Sequence, residues 1–361
     1  MVERVYNFYP GPATLPVPVL KKAKEELLNY DGNGMSVMEI SHRSDQYEEI
    51  HYRAMELVSE LMDLPDDFKV LWLQGGASAQ FWMAPLNLQV PGKPIDILHA
   101  GRWSAKFIKE AKLYGDVNVV ASSEEDGYEY IPKDIDFDDD AAFAYMTSNN
   151  TVNGSQIFDW PDVPEGVPVV CDMSSDIMAR KIDPDYFGVI FAGAQKNLGP
   201  AGVTMVAVRE HLLDRVPEDT PTLQKWKTHV NRDSLFNTPP VFPIYMCKLV
   251  LEYYDELGGV EALEKRNRKK AGMLYDVIDE SDGFYKGHVV KEDRSIMNVT
   301  FNLPTEELEK KCIKEGEERG LIGLGGHRSI GGMRASLYNA MSVEGVETLC
   351  DFLEEFREEN Q

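Results

Sequence analysis

Four stretches of the chain carry residue types that could do chemistry. In FAGAQKNLGPAG, Lys196 follows the apolar run 187–192 and precedes a loop rich in glycine and proline, with no other charge beside it. A desolvated lysine loses its proton readily and becomes a nucleophilic amine, able to condense with an aldehyde; a solvated surface lysine is the ordinary alternative. In VVCDMSSD, Asp172 ends an apolar strand pattern. An ionised carboxylate there needs a partner, which a cation on a ligand would supply, although a helix N-cap or a structural hydrogen bond would also serve. In QGGASAQ, residues 74–80, two glycines lead into a helical pattern. Free backbone N–H groups and the helix dipole can receive a phosphate there. No Gly-Lys-Ser/Thr follows, so this is not a P-loop, and a plain tight turn fits the same residues. In HAGRWSAK, Trp103 offers a flat aromatic face for stacking, or simply for the core.

Together, and in this order, a phosphate cradle, a buried aspartate and a strand-end lysine meet the needs of pyridoxal phosphate. That cofactor has a phosphate, a pyridine nitrogen to be kept protonated and an aldehyde. Trp103 would stack on its ring.

The surrounding pattern explains how one fold positions all four. KVLWLQ, PIDILHAG, VNVVAS, AAFAYMTS, VPVVCDMSS, GVIFAGAQ and VTMVAVRE read as strands. AQFWMAPLNL and SAKFIKEAKLYG read as helices between them. Near-continuous apolar strands alternating with helices predict an α/β fold with a mostly parallel sheet covered on both faces. In such sheets ligands bind at the carboxyl ends of the strands, where Lys196, Asp172 and the glycine turn fall. Residues 262–281 form a long charged helix. The strands SIMNVTFNLP and GGMRASLYN follow, with the helices TEELEKKCIKEGEERG and SVEGVETLCDFLEEFREE, so a smaller α+β domain closes the chain. The proline-rich start, YPGPATLPVPVL, reads as an irregular arm. The expected division is 16–265 for the large domain, with 1–15 and 266–361 forming the small one.

Composition narrows the partners. The 361 residues include 61 Asp and Glu against 37 Lys and Arg, a formal charge of −24. Such a surface repels nucleic acid and anionic membranes, and reflects either ordinary solvation or adaptation to salt or alkali. A site for an anionic substrate must then be built locally from Arg and His. The longest apolar run near the strands, 203–208, falls far short of the roughly 20 residues that span a bilayer. The N-terminus has early charges and no apolar signal core. Cys171, Cys247, Cys312 and Cys350 are far apart, with neither a CxxC pair nor a histidine at metal-ligand spacing. They read as buried thiols in a reducing, cytoplasmic compartment, with no metal.

The ordered stretches FYPGPATLP, MSVMEISHRS, QGGASAQF, NNTVNG, CDMSSD, AGAQKNLGPAG, FNTPP, GHRSIGGMRASLYNA and EGVETL carry an end-to-end resemblance to the phosphoserine aminotransferase family. These are class V, fold-type I pyridoxal-phosphate enzymes that work as homodimers with shared active sites. The resemblance implies that Lys196 is the Schiff-base lysine and the proton carrier, that Asp172 pairs with the pyridinium nitrogen, and that Trp103 stacks on the ring. It implies that Thr151 bonds the cofactor's phenolic oxygen. Ala77 and Ser78, with Gln195, hold the phosphate, and Asn237 and Thr238 reach it from the other subunit. Arg334 anchors the substrate α-carboxylate. His42 and Arg43, with His327 and Arg328 from the partner subunit, receive the substrate phosphate or the glutamate side chain. The implied partners are L-glutamate and a phosphorylated 2-oxo acid. One departure is Ser78, where some members have an arginine that helps to bind the substrate phosphate; the remaining basic residues then carry more of that task.

Three other readings share parts of this pattern. An alanine–glyoxylate aminotransferase of the same class would not need two His-Arg pairs. A cysteine desulfurase needs a mobile catalytic cysteine, and no cysteine here lies in such a loop. A non-catalytic protein of the same fold has no use for Lys196, Asp172 and Trp103 together.

Overall fold

A computed structural model of the protein describes residues 4–328 and 330–361. Along the chain, β1 (Tyr6–Asn7), α1 (Val17–Glu26) and α2 (Asp45–Leu61) come first. β2 (Phe68–Leu73), α3 (Gly76–Leu88), β3 (Ile95–His99), α4 (Arg102–Ala111), β4 (Val117–Ser122) and β5 (Phe143–Thr147) follow. A small ribbon of β6 (Asn149–Asn150) and β7 (Ser155–Gln156) precedes β8 (Val169–Asp172), β9 (Val189–Gly193) and β10 (Thr204–Arg209). α5 (Trp226–Val230), α6 (Val241–Glu256) and α7 (Gly259–Asp279) lead to β11 (Lys286–Gly287) and β12 (Asn298–Asn302). α8 (Glu306–Glu318), β13 (Leu321–Ile322), β14 (Met333–Ser336) and α9 (Val343–Asn360) complete the order.

The main sheet has seven strands in the order β2-β10-β9-β8-β5-β3-β4. β10 runs antiparallel to both its neighbours, and the other pairings are parallel. β3, β5, β8 and β9 are buried throughout, as strands covered on both faces must be. Ile190, Met205, Leu57 and Leu251 belong to the core on one face. Phe81, Phe107, Tyr145 and Phe191 belong to the other. Because β10 runs against β2 and β9, β2, β9, β8, β5 and β3 all end on the same edge of the sheet.

α2 and α6 go beyond the sequence expectations. α2 has plain local causes. The Ser44 hydroxyl accepts from the Tyr47 N–H at its start, and Asp45 and Glu48 lie in the first turn, where the dipole favours them. Its buried residues, Tyr47, Ile50, Ala54, Leu57, Val58 and Leu61, recur every three or four positions. α1 also begins earlier than an irregular arm allows, at Val17. Pro18 falls in its first turn, where a missing N–H costs nothing.

A separate antiparallel sheet, β11-β12-β14, lies over the third core, with Leu274, Val299, Leu349 and Phe356. The start of the chain joins it. β1 pairs with β13 in parallel, Tyr6 with Leu321 and Asn7 with Ile322, and Phe8 is fully buried in the same core. Among the described residues no helix is long and apolar enough to cross a membrane.

Candidate active site

The strand ends deliver their side chains to one cavity of about 220 Å³. β2 turns at Gly75 and Gly76 into α3, β3 leads through Gly101 into α4 with Trp103, and β8 ends in Asp172. β9 leads through Ala194 and Gln195 to Lys196. Ala77, Ser78, Trp103, Thr151, Asp172, Gln195, Lys196, His327 and Arg334 all line the cavity.

Lys196 is 8 % exposed, and its Nζ donates to Thr151 Oγ1 at 2.7 Å. Burial brings its ammonium down from the ordinary 10.5 to about 8, against the raising pull of Asp172 and with a further push from Arg334. The loop around it is fixed by short bonds. Ala13 N–H donates to Gln195 O, and Leu198 and Gly199 donate to Ala194 O. Gly11, at φ +135°, lies against this loop; a Cβ there would stand 3.4 Å from Lys196 Cγ.

Asp172 is buried, and its Oδ1 accepts from Ser174 N–H at 2.9 Å. Burial holds its carboxyl above the ordinary range, opposed by the Ser174 bonds and by the Lys196 charge. Arg334 is 5 % exposed. Its Nη1 donates to the Thr151 carbonyl at 3.3 Å, while its Nε has no partner. The indole Nε1 of Trp103 is buried without a partner as well. Buried donors are nearly always paired in folded proteins, and Arg334 lines a cavity in which an anion could meet its Nε.

The residues present therefore fit pyridoxal phosphate. Gly75, at φ +98°, precedes α3 and gives it no side-chain cap, so the first N–H groups of the helix are left for an anion. A Cβ on Gly75 would also strike Ala79 Cβ at 2.6 Å, which explains the glycine. Asp172 is placed to hold a protonated ring nitrogen, Trp103 to face the ring, and Lys196 to meet an aldehyde.

The network extends behind the cavity. Asn339 N–H donates to Asn197 Oδ1 at 3.0 Å, and Asn267 Nδ2 to Asn339 Oδ1 at 2.8 Å. The buried Lys270 ammonium caps the carbonyls of Leu337, Tyr338 and Met341 at 2.6, 2.8 and 3.1 Å. These bonds lock α7 and the turn after β14, hence Arg334, to the loop of Lys196.

Some expected residues lie elsewhere. Asn237 lines a neighbouring cavity with Gln74 and Gly75, on the other side of the glycine turn; neither it nor Thr238 lines the cavity of Lys196. His42 and Arg43 sit before α2, Arg43 exposed and His42 half-buried, also outside the cavity. His327, expected from a partner subunit, lines this chain's own cavity. The cause is local: Gly326 N–H donates to Gly332 O and Arg334 N–H to Leu324 O, folding the loop back onto the strand of Arg334. Arg328 is exposed beside it.

Sequence reasoning missed Phe81, Val152 and Ser174 in the lining. It also missed Asp176, a second buried carboxylate that accepts from Ser148 Oγ and from Gln156 Nε2. Only the i, i+4 spacing from Asp172 hinted at it.

The lysine makes a pH prediction. Its folded pKa lies below its unfolded one, so the unfolded chain binds more protons between about 8 and 10.5, and the stability that depends on Lys196 rises with pH across that window. Capture of an aldehyde needs the neutral amine, so its rate should rise with pH and level off above about 8. Stopped-flow absorbance of the cofactor-free chain mixed with pyridoxal phosphate measures this. A rate still climbing near pH 10, as for an ordinary lysine, would contradict the buried amine.

Residues 5–349 match the family model for class-V aminotransferases. The chain is 52 % identical to a phosphoserine aminotransferase of Geobacillus kaustophilus, over 99 % of both chains. Among solved structures, the phosphoserine aminotransferase of Bacillus circulans subsp. alkalophilus superposes with a TM-score of 0.98 at 48 % identity, over the whole of both chains. The PLP-bound phosphoserine aminotransferase of Trichomonas vaginalis superposes with a TM-score of 0.93 at 35 % identity, over 97 % of this chain and 100 % of that one.

Proposed function

The chain belongs to the class-V aminotransferase family, and from that premise we propose that it moves the amino group of L-glutamate to 3-phosphohydroxypyruvate. The products are 2-oxoglutarate and O-phospho-L-serine, a step of serine biosynthesis. Its cofactor is pyridoxal 5′-phosphate, which supplies an electron sink for the carbanion formed at the substrate α-carbon.

The side chains divide the remaining work. Lys196 Nζ would take and return the proton at the substrate α-carbon. Thr151 Oγ1, which already accepts from that amine, directs it. Asp172 holds a proton on the ring nitrogen, and Trp103 covers the ring. The first N–H groups of α3, at Ala77 and Ser78, take the phosphate with Gln195. Arg334 takes the α-carboxylate through its two-pronged guanidinium. His42, Arg43, His327 and Arg328 receive the distal anion. In this reading the enzyme is a cytoplasmic homodimer. Asn237 and Thr238 meet the cofactor phosphate of the other subunit, and 16–265 forms the large domain while 1–15 and 266–361 form the small one.

The observation that carries the reading is the buried Arg334 with its unpaired Nε, standing against Thr151 in the cavity of Lys196. A buried guanidinium left with an unpaired N–H is costly, and an anionic ligand is the acceptor that would satisfy it. Single-turnover absorbance of the holoenzyme tests the substrate. Phosphoserine should bleach the visible band quickly, and alanine at equal concentration should not. Bleaching by alanine but not by phosphoserine would keep the amino-transfer chemistry and replace the substrate.

A further inference from the structure

α4 places two more cations at the mouth of the catalytic cavity. Arg102 and Lys106 occupy its first and second turns, four residues apart and so on one face. The Lys106 ammonium lies 4.3 Å from the centre of the Trp103 ring, which is also 5.5 Å from the Lys196 ammonium. A second cavity, of about 560 Å³, opens here and is lined by Arg102, Lys106, Lys109, Tyr128, Asn153 and His288. Val152 lines both cavities, so they adjoin. Asn153 is 1 % exposed, and its Oδ1 has no partner.

The electrostatics at this mouth are one-sided. After burial itself, the charges that hold His327 below its ordinary range are Arg102, Arg334, Arg328 and Lys106, all positive. The charge acting on Lys106 is Arg102, positive again. Like charges at i and i+4 destabilise a helix. In a chain with a formal charge of −24, such a concentration of positive charge attracts an anion. Ser78, across the cavity, adds no cation of its own.

We propose that Arg102 and Lys106 are specificity-determining residues: they hold the distal dianion of the phosphorylated substrate at the cavity mouth and favour it over the singly charged side chain of glutamate. This rests on the phosphoserine reading above. A phosphate monoester carries close to two charges at neutral pH, and a carboxylate carries one, so a cationic wall discriminates by charge. Arg102 can add a two-pronged contact, and Lys106 a point charge.

The test compares the parent holoenzyme with the double variant Arg102→Gln/Lys106→Gln and with Lys106→Arg. kcat/KM is measured for phosphoserine and for glutamate, and binding of inorganic phosphate to the holoenzyme is measured by calorimetry. The double variant should lose about tenfold more on phosphoserine than on glutamate, with phosphate binding weakened by a similar factor. Lys106→Arg should keep both. Equal losses on the two amino acids, or unchanged phosphate binding, would overturn the assignment. A parent that turns over glutamate but never phosphoserine would instead overturn the functional reading, and this assignment with it.

Discussion

Lys196→Ala is expected to lower kcat by about 10⁴-fold, the upper range for removing a positioned acid–base group. The loss should fall on kcat rather than on KM, because Lys196 lines the cavity bonded to Thr151 and is not among the cations assigned to the substrate. Two controls separate chemistry from collapse. Lys196 is buried, and burial already disfavours its charge, so removing the ammonium should not lower the Tm of the cofactor-free chain. An external primary amine should restore part of the turnover, since the missing function is an amine at one place. Residual activity above about 1 % of the parent would be too high for a group with this role.

Asp172→Asn should cost about 3–5 kcal/mol of the same chemistry, roughly two to four orders of magnitude in kcat/KM, because it removes one partner of the buried ion pair proposed with the ring nitrogen. Asparagine keeps the volume and can still accept from Ser174 N–H, as Asp172 Oδ1 does, so the backbone turn survives. The cofactor-free chain should behave in the opposite way. Burial holds the Asp172 carboxyl above its ordinary range despite the Lys196 charge, which makes its ionised form a source of instability at neutral pH until a further cation arrives. The variant without cofactor should therefore melt at a higher temperature than the parent while turning over far more slowly. A lower Tm together with near-parental turnover would mean that Asp172 is a structural capping residue and that another group meets the ring nitrogen.

These two residues were legible in the sequence for one reason. Each alone fits a surface lysine or a capping carboxylate, but both sit where an apolar strand stops, and with the glycine turn before them they meet the needs of one cofactor. The glycine turn was legible because Gly75 adopts φ +98° and no larger side chain fits against Ala79. α2 and α6 were harder. α2 is rich in charge, with DQYEEIHYRAMELVSEL alternating buried and exposed positions, and its stripe emerges only when the helical period is applied. α6 is apolar almost all round, which hides its period. The place of His327 was out of reach, because it depends on backbone bonds between Gly326 and Gly332 that no spacing announces. Arg102 and Lys106 look like ordinary helix-surface charges until Trp103 and His327 are seen beside them.

The pairing of β1 with β13 also bears on when the enzyme comes into being. Tyr6 pairs with Leu321, and Pro10 and Gly11 just beyond form part of the cavity wall. Residues 6–11 must therefore wait for Leu321 to leave the ribosome. At roughly 5–20 residues per second, translation takes about 15–60 s to cover that distance. Through that interval the glycine turn, Asp172 and Lys196 can already stand at the edge of a folded sheet, while one wall of their cavity is still missing. Joining Tyr6 to Leu321 is a non-local closure of the slow kind, and a ribosome that stops before Leu321 releases a sheet without a finished site.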